Sequence, residues 1–132
     1  MGGSNMSNFI TKQLPVLSLE QIPQDMIIEI VSRVAKLCYF NHDLDGWAEE
    51  LWEELTPEKR AVWQAELDAI FTHLYGLSTE DLRYILDPED VCGEGCINET
   101  FRVLKDNEIR QYGEYRTKRL VMDAWYKFGY DR

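Results

Sequence analysis

Four side chains carry the soft ligands that a structural zinc site needs. Cys38 and His42 lie four apart where a helix is expected to end, and Cys92 and Cys96 lie four apart in a loop. Zn²⁺ takes four such ligands in a tetrahedron. Cys-x3-Cys is not the usual zinc spacing, and Cys38 also fits an apolar stripe as a small buried hydrophobe. The expectation is no metal, with Cys38, His42, Cys92 and Cys96 as the set that a zinc ion would use.

Acid–base and nucleophilic chemistry find less. Neither His42 nor His73 stands in a context that suggests a base or nucleophile, and His73 fits the flank of a core at the end of its helix. Glu49, Glu50, Glu53 and Glu54 read as the wet face of a helix. There is no glycine-rich phosphate loop. Methyl transfer to adenine needs a cofactor-binding glycine motif and an Asn/Asp-Pro-Pro-Tyr/Phe motif, and the four prolines here are isolated from one another. No catalytic residue is expected in this chain.

Binding chemistry is confined to one end. The 132 residues carry a net charge of −10, which argues against non-specific attraction to nucleic acid. Residues 1–98 hold 6 Lys/Arg and 18 Asp/Glu, a net of −12. Residues 99–132 hold 8 Lys/Arg and 6 Asp/Glu, a net of +2. In that last third Arg102, Lys105, Arg110, Arg116, Lys118 and Arg119 can reach DNA phosphates, with Tyr112 and Tyr115 flanking Gly113. Such contacts give affinity and register but little sequence information. The same charges can instead pair with Glu99, Asp106, Glu108, Glu114 and Asp123 along and between helices.

The elements that hold these residues follow from apolar spacing. Residues 1–6 look like an expression scar before a second Met. Residues 7–22, punctuated by Pro15 and Pro23, predict an extended lead-in. From Gln24 to Phe40, Ile27, Ile30, Val31, Val34, Leu37 and Cys38 recur on one helix face. Leu44, Trp47, Leu51 and Leu55 form a second, shorter stripe. Thr56-Pro57-Glu58 marks a helix start, and that helix runs to about Tyr75, burying a set drawn from Val62, Leu67, Ile70, Phe71 and Leu74, with Gly76 at its end. Ser78 and Asp81 form a capping box for a short helix that stops before Asp87-Pro88. Residues 87–97 predict a loop. Asn98 is placed to cap a helix from about Glu99 to Tyr112, with Phe101, Leu104, Ile109 and Tyr112 inward. A last helix from about Tyr115 to Phe128 carries Leu120, Val121, Ala124, Trp125 and Phe128 on one face. No segment alternates, so the class is all-α: a bundle of about five to six helices over residues 23–132, enough chain to bury roughly two thirds of its unfolded surface. No apolar run reaches membrane-spanning length. An odd number of cysteines without a secretion signal predicts a reduced, cytoplasmic setting.

One resemblance adds to this reading. Ala65-Glu66-Leu67-Asp68-Ala69, His73-Leu74-Tyr75-Gly76-Leu77 and Asp81-Leu82-Arg83-Tyr84-Ile85-Leu86-Asp87-Pro88 occur in that order. Glu99-Thr100-Phe101-Arg102-Val103-Leu104-Lys105, Glu114-Tyr115-Arg116-Thr117 and Arg119-Leu120-Val121 follow. The ordered set resembles the C-terminal region of large bacterial adenine-specific DNA methyltransferases of type IIG restriction–modification and phage-defence systems. Lys12-Gln13-Leu14-Pro15-Val16 looks like the exit from a target-recognition domain in such enzymes. The loop holding Cys92 and Cys96 departs from that pattern, since family members often carry other residues there. The resemblance implies a larger parent whose missing N-terminal part binds S-adenosylmethionine and methylates an adenine amino group, with endonuclease activity an added possibility in this class. It implies for this chain a role in supporting target-DNA recognition, with no cofactor of its own, DNA met through the parent, the rest of the parent as partner and no membrane. A free-standing acidic helical domain for protein–protein contact is the alternative.

Overall fold

The computed structural model describes residues 16–38 and 54–132. Among these residues there are six α-helices and no strand. They are α1 (Gln24–Cys38), α2 (Pro57–Leu74), α3 (Thr79–Leu86), α4 (Glu89–Cys92), α5 (Arg102–Tyr112) and α6 (Arg116–Lys127). A 3₁₀ turn at Leu19–Gln21 precedes them, where the sequence predicts only extended chain; the Gln21 side chain accepts from the Ser18 amide at 2.8 Å and closes it. The stripe expected over Leu44–Leu55 and the ligand His42 lie, apart from Glu54 and Leu55, outside the described residues.

Helix α2 is the centre. Thr56 caps it by accepting from the Lys59 amide, and Pro57 opens it where its missing N–H is no loss. It packs on α6 on one side and on α1 on the other. The set predicted to be buried is corrected here. Ile70 is buried, but Val62 and Phe71 are 39% and 40% exposed, while Trp63, Ala65, Glu66 and Ala69 go inside. The physical reason is the partner. Ala65 and Ala69 have short side chains that let α6 approach closely, and Val121, Ala124 and Trp125 of α6 fill the space with Leu82 and Leu86 of α3. On the other side the Lys36 ammonium of α1 lies 5.3 Å from the centre of the Trp63 ring.

Trp125 is fully buried, and its indole N–H donates to the Thr79 hydroxyl at 2.9 Å, so burial leaves no polar atom stranded. Ser78 and Asp81 make the predicted capping box, locking α3 at its start. Gly113, at φ +76°, supplies the left-handed residue between α5 and α6.

Helix α5 is rotated from the predicted orientation. Leu104, Ile109 and Tyr112 are exposed, and Phe101 is half-buried. The buried residue is Glu108, whose carboxylate accepts from the Thr117 amide at 2.7 Å and the Thr117 hydroxyl at 2.6 Å. Glu108 thereby satisfies a free N–H at the start of α6 that would otherwise lack an intrahelical partner. Asn98 does not cap at Glu99. Its side chain accepts from the Phe101 amide at 2.8 Å, and the helix begins at Arg102. The predicted loop 87–97 contains α4, which Asp87-Pro88 initiates.

Candidate functional site

The sequence-predicted DNA-contact residues divide into two groups. Lys105, Lys118 and Arg119 are held by carboxylates. Arg119 pairs with Glu114 at 3.0 Å and with Asp123 at 3.5 Å. Lys105 and Lys118 converge on Asp87, at 2.9 and 3.1 Å, one on each carboxylate oxygen. Each lysine also meets a second acid, Lys105 with Glu89 at 3.0 Å and Lys118 with Asp90 at 3.1 Å. Arg83 closes the set by donating to Asp90 at 2.8 Å.

Asp87 is 7% exposed and follows the last residue of α3. Just before it, the Leu86 carbonyl accepts from the Asn98 amide and from the Tyr115 hydroxyl, both at 3.1 Å. Two consecutive residues thus gather the end of α3 with the starts of α4, α5 and α6. Burial pushes the Asp87 carboxyl up, but the hydrogen bonds from Lys105 and Lys118 outweigh it and hold the group below its ordinary range. The hydrogen bond from Arg83 brings Asp90 down to about 2. The Asp87 hydrogen bond raises Lys105, and burial, with the negative charges of Glu108 and Asp87, raises Tyr115 to about 12. These shifts carry each group away from neutral pH, the reverse of what a general acid or base needs. The cluster is built to hold four helices in register.

Arg102, Arg110 and Arg116 meet no carboxylate partner among the described residues. Arg102 is exposed on the wall of a hollow of about 380 Å³ lined also by Glu89, Cys96, Asn98 and Lys105. Arg110 reaches only the Asn107 side chain, at 3.5 Å. Arg116 lies 4.0 Å from the centre of the Tyr112 ring, and its buried Nε has no hydrogen-bond partner.

Another buried carboxylate belongs to α2. Glu66 accepts from Arg33 of α1 at 2.7 Å and from Lys127 of α6 at 2.9 Å. Burial pushes Glu66 up, and the hydrogen bonds from Lys127 and Arg33 bring it below its ordinary value. His73 stacks on Tyr130 with ring centres 3.9 Å apart, at the flank of the core near Trp125.

Of the zinc set, Cys38, Cys92 and Cys96 lie among the described residues, and these three do not gather at one point. Cys92 and Cys96 are joined as a disulfide, against the expectation of reduced cysteines, and Cys38 is exposed rather than buried in its stripe. Among the described residues no three potential ligands gather as a metal site would require. Nor, among them, is any helix long and apolar enough to cross a membrane.

Asp87, Asn98, Tyr115 and Glu66 were not among the predicted site residues. Asn98 carried a capping signal that located it without naming Leu86 as its partner. Comparison of the chain with protein-family models, curated proteins and solved structures finds no match.

Proposed function

We propose that the chain is the C-terminal helical region of an adenine-specific DNA methyltransferase of a restriction–modification or phage-defence system. In this reading it buttresses target-DNA recognition and leaves S-adenosylmethionine binding and methyl transfer to the rest of the parent. One observation carries the proposal. Three of the segments that resemble the methyltransferase region, 81–88, 99–105 and 114–117, meet at the Leu86–Asp87 junction. Lys105 and Tyr115 of those segments bond there, and Lys118, which lies outside them, joins them. Residues of the ordered set thus have a shared structural duty, and that duty is helix placement rather than chemistry. With Lys105, Lys118 and Arg119 neutralised internally, the cations left for DNA phosphate are Arg102, Arg110 and Arg116.

Fluorescence anisotropy with a labelled duplex tests this. The chain by itself should bind DNA weakly or not at all, and the same chain with its upstream coding sequence should bind well. The upstream frame should encode an Asn/Asp-Pro-Pro-Tyr/Phe motif. Tight, salt-resistant binding by the chain alone would overturn the proposal.

A second reading, a free-standing protein–protein contact domain, is favoured by α1. Ile28, Val31 and Val34 recur at helical spacing and are 61%, 41% and 39% exposed. Its mark would be a genuine start at Met6 with no methyltransferase frame upstream.

A further inference from the structure

The segment between α4 and Asn98 carries the one covalent cross-link among the described residues. Cys92 ends α4 and bonds to Cys96 around Gly93, Glu94 and Gly95. Gly93 and Gly95 have φ of +84° and +97°, so the short ring relies on backbone conformations open to glycine. Cys92 is exposed and Cys96 half-buried, so small thiols and disulfides can reach the bond. Cys96 shares the hollow at the start of α5 with Arg102, whose positive charge favours a thiolate; Lys105 there is taken up by Asp87 and Glu89, and Asp106 also lines the hollow. An exposed disulfide belongs to the labile class.

The ring is also attached to something that matters. Asn98, two residues beyond Cys96, is buried. It donates to the Leu86 carbonyl and accepts from the Phe101 amide, fixing where α5 begins. A closed ring restrains the chain on the approach to Asn98, and an open ring frees it.

We propose that Cys92 and Cys96 form a reversible dithiol–disulfide pair whose closure tightens the Asn98 bridge and so the docking of α5. The oxidant is a low-molecular-weight disulfide of the glutathione type. One cysteine thiolate attacks it, forming a mixed disulfide and releasing one small thiolate. The second cysteine, as thiolate, attacks the protein sulfur of that mixed disulfide and releases the other. Two electrons pass from the cysteine pair to the small disulfide. The two protons lost by the cysteines are taken up by the two released thiolates, giving two small thiols, and reduction runs the same steps backwards.

The test uses the full chain carrying Cys38→Ser, which removes the exposed third thiol. The protein is equilibrated in buffers of reduced and oxidised glutathione and quenched with an alkylating agent for mass measurement. Amide hydrogen exchange is read at Phe101. Alkylation should fall from both cysteines to neither as the buffer becomes oxidising, and Phe101 exchange should slow by about threefold or more. Cys92→Ser and Cys96→Ser, each made separately, should show the faster exchange in every buffer. A pair that stays open, a persistent glutathione adduct, or closure without a change at Phe101 would each overturn the proposal. Both states are read on one folded protein, so a poorly folding variant does not blunt the result.

Discussion

Replacing Asp87 with Ala tests the helix-gathering role directly. The substitution removes the acceptor shared by Lys105 and Lys118. Stripping one partner from a fully buried ion pair costs ~3–5 kcal/mol. Two features here reduce that. The lysine side chains retain 20% and 24% exposure, and each keeps a second carboxylate, Glu89 or Asp90. The expected loss is therefore about 1–3 kcal/mol, read by urea unfolding followed at 222 nm with an unchanged slope against denaturant. A double-mutant cycle with Lys118→Met should return a coupling of ~0.5 kcal/mol or more. The effect is pH-dependent with a definite sign. Asp87 titrates lower in the folded chain than its ordinary value, so its contribution is present above pH ~4 and fades as pH falls through the folded value. Asp90, held at about 2, loses its smaller, solvent-screened contribution between pH ~4 and ~2 in the same sense. A change in stability under ~0.5 kcal/mol at neutral pH, or a deficit that grows on acidification, would refute the reasoning.

Three further outcomes follow from the same contacts. Trp125→Ala should cost ~3–5 kcal/mol in thermal or urea unfolding, because the ring is fully buried and donates to Thr79; a loss under ~1 kcal/mol would mean the core lies elsewhere. Glu108→Ala frees the Thr117 amide and hydroxyl and should cost ~1–3 kcal/mol, with faster hydrogen exchange at Thr117 as the specific readout. Arg102→Gln should leave the unfolding midpoint unchanged while weakening DNA binding by the longer protein and reducing the slope of log affinity against log salt by about one. Equal slopes would remove Arg102 from the DNA surface.

Helix positions were legible where the signal is local. Thr56-Pro57, Ser78 with Asp81, Gly76 and Gly113 each act within one turn of the backbone they shape, and each performs as its type predicts. The face of the last helix was legible too, since Val121, Ala124 and Trp125 recur at helical spacing and are buried. Burial on α2 was harder to read because α2 packs on two sides, and closeness of approach selects Ala65 and Ala69 over the larger Val62 and Phe71. The orientation of α5 could not be read from apolar spacing, because its inward positions Lys105 and Glu108 are polar and face partners 18 and 9 residues away. The same holds for the candidate site. The residue types were visible, but which cation met which acid depended on four helix ends that only the fold brings together. Lys118 therefore pairs across 31 residues with Asp87 rather than with Glu114 four residues back.

The most direct measurement is a map of N6-methyladenine in the DNA of cells carrying the gene with its upstream coding sequence, beside cells whose copy stops before Pro57. The complete gene should methylate adenine at one target sequence, and the truncated copy should lose that methylation or its sequence preference. No adenine methylation from the complete gene, or the same pattern from the truncated one, would contradict a role for this chain in target recognition by a methyltransferase.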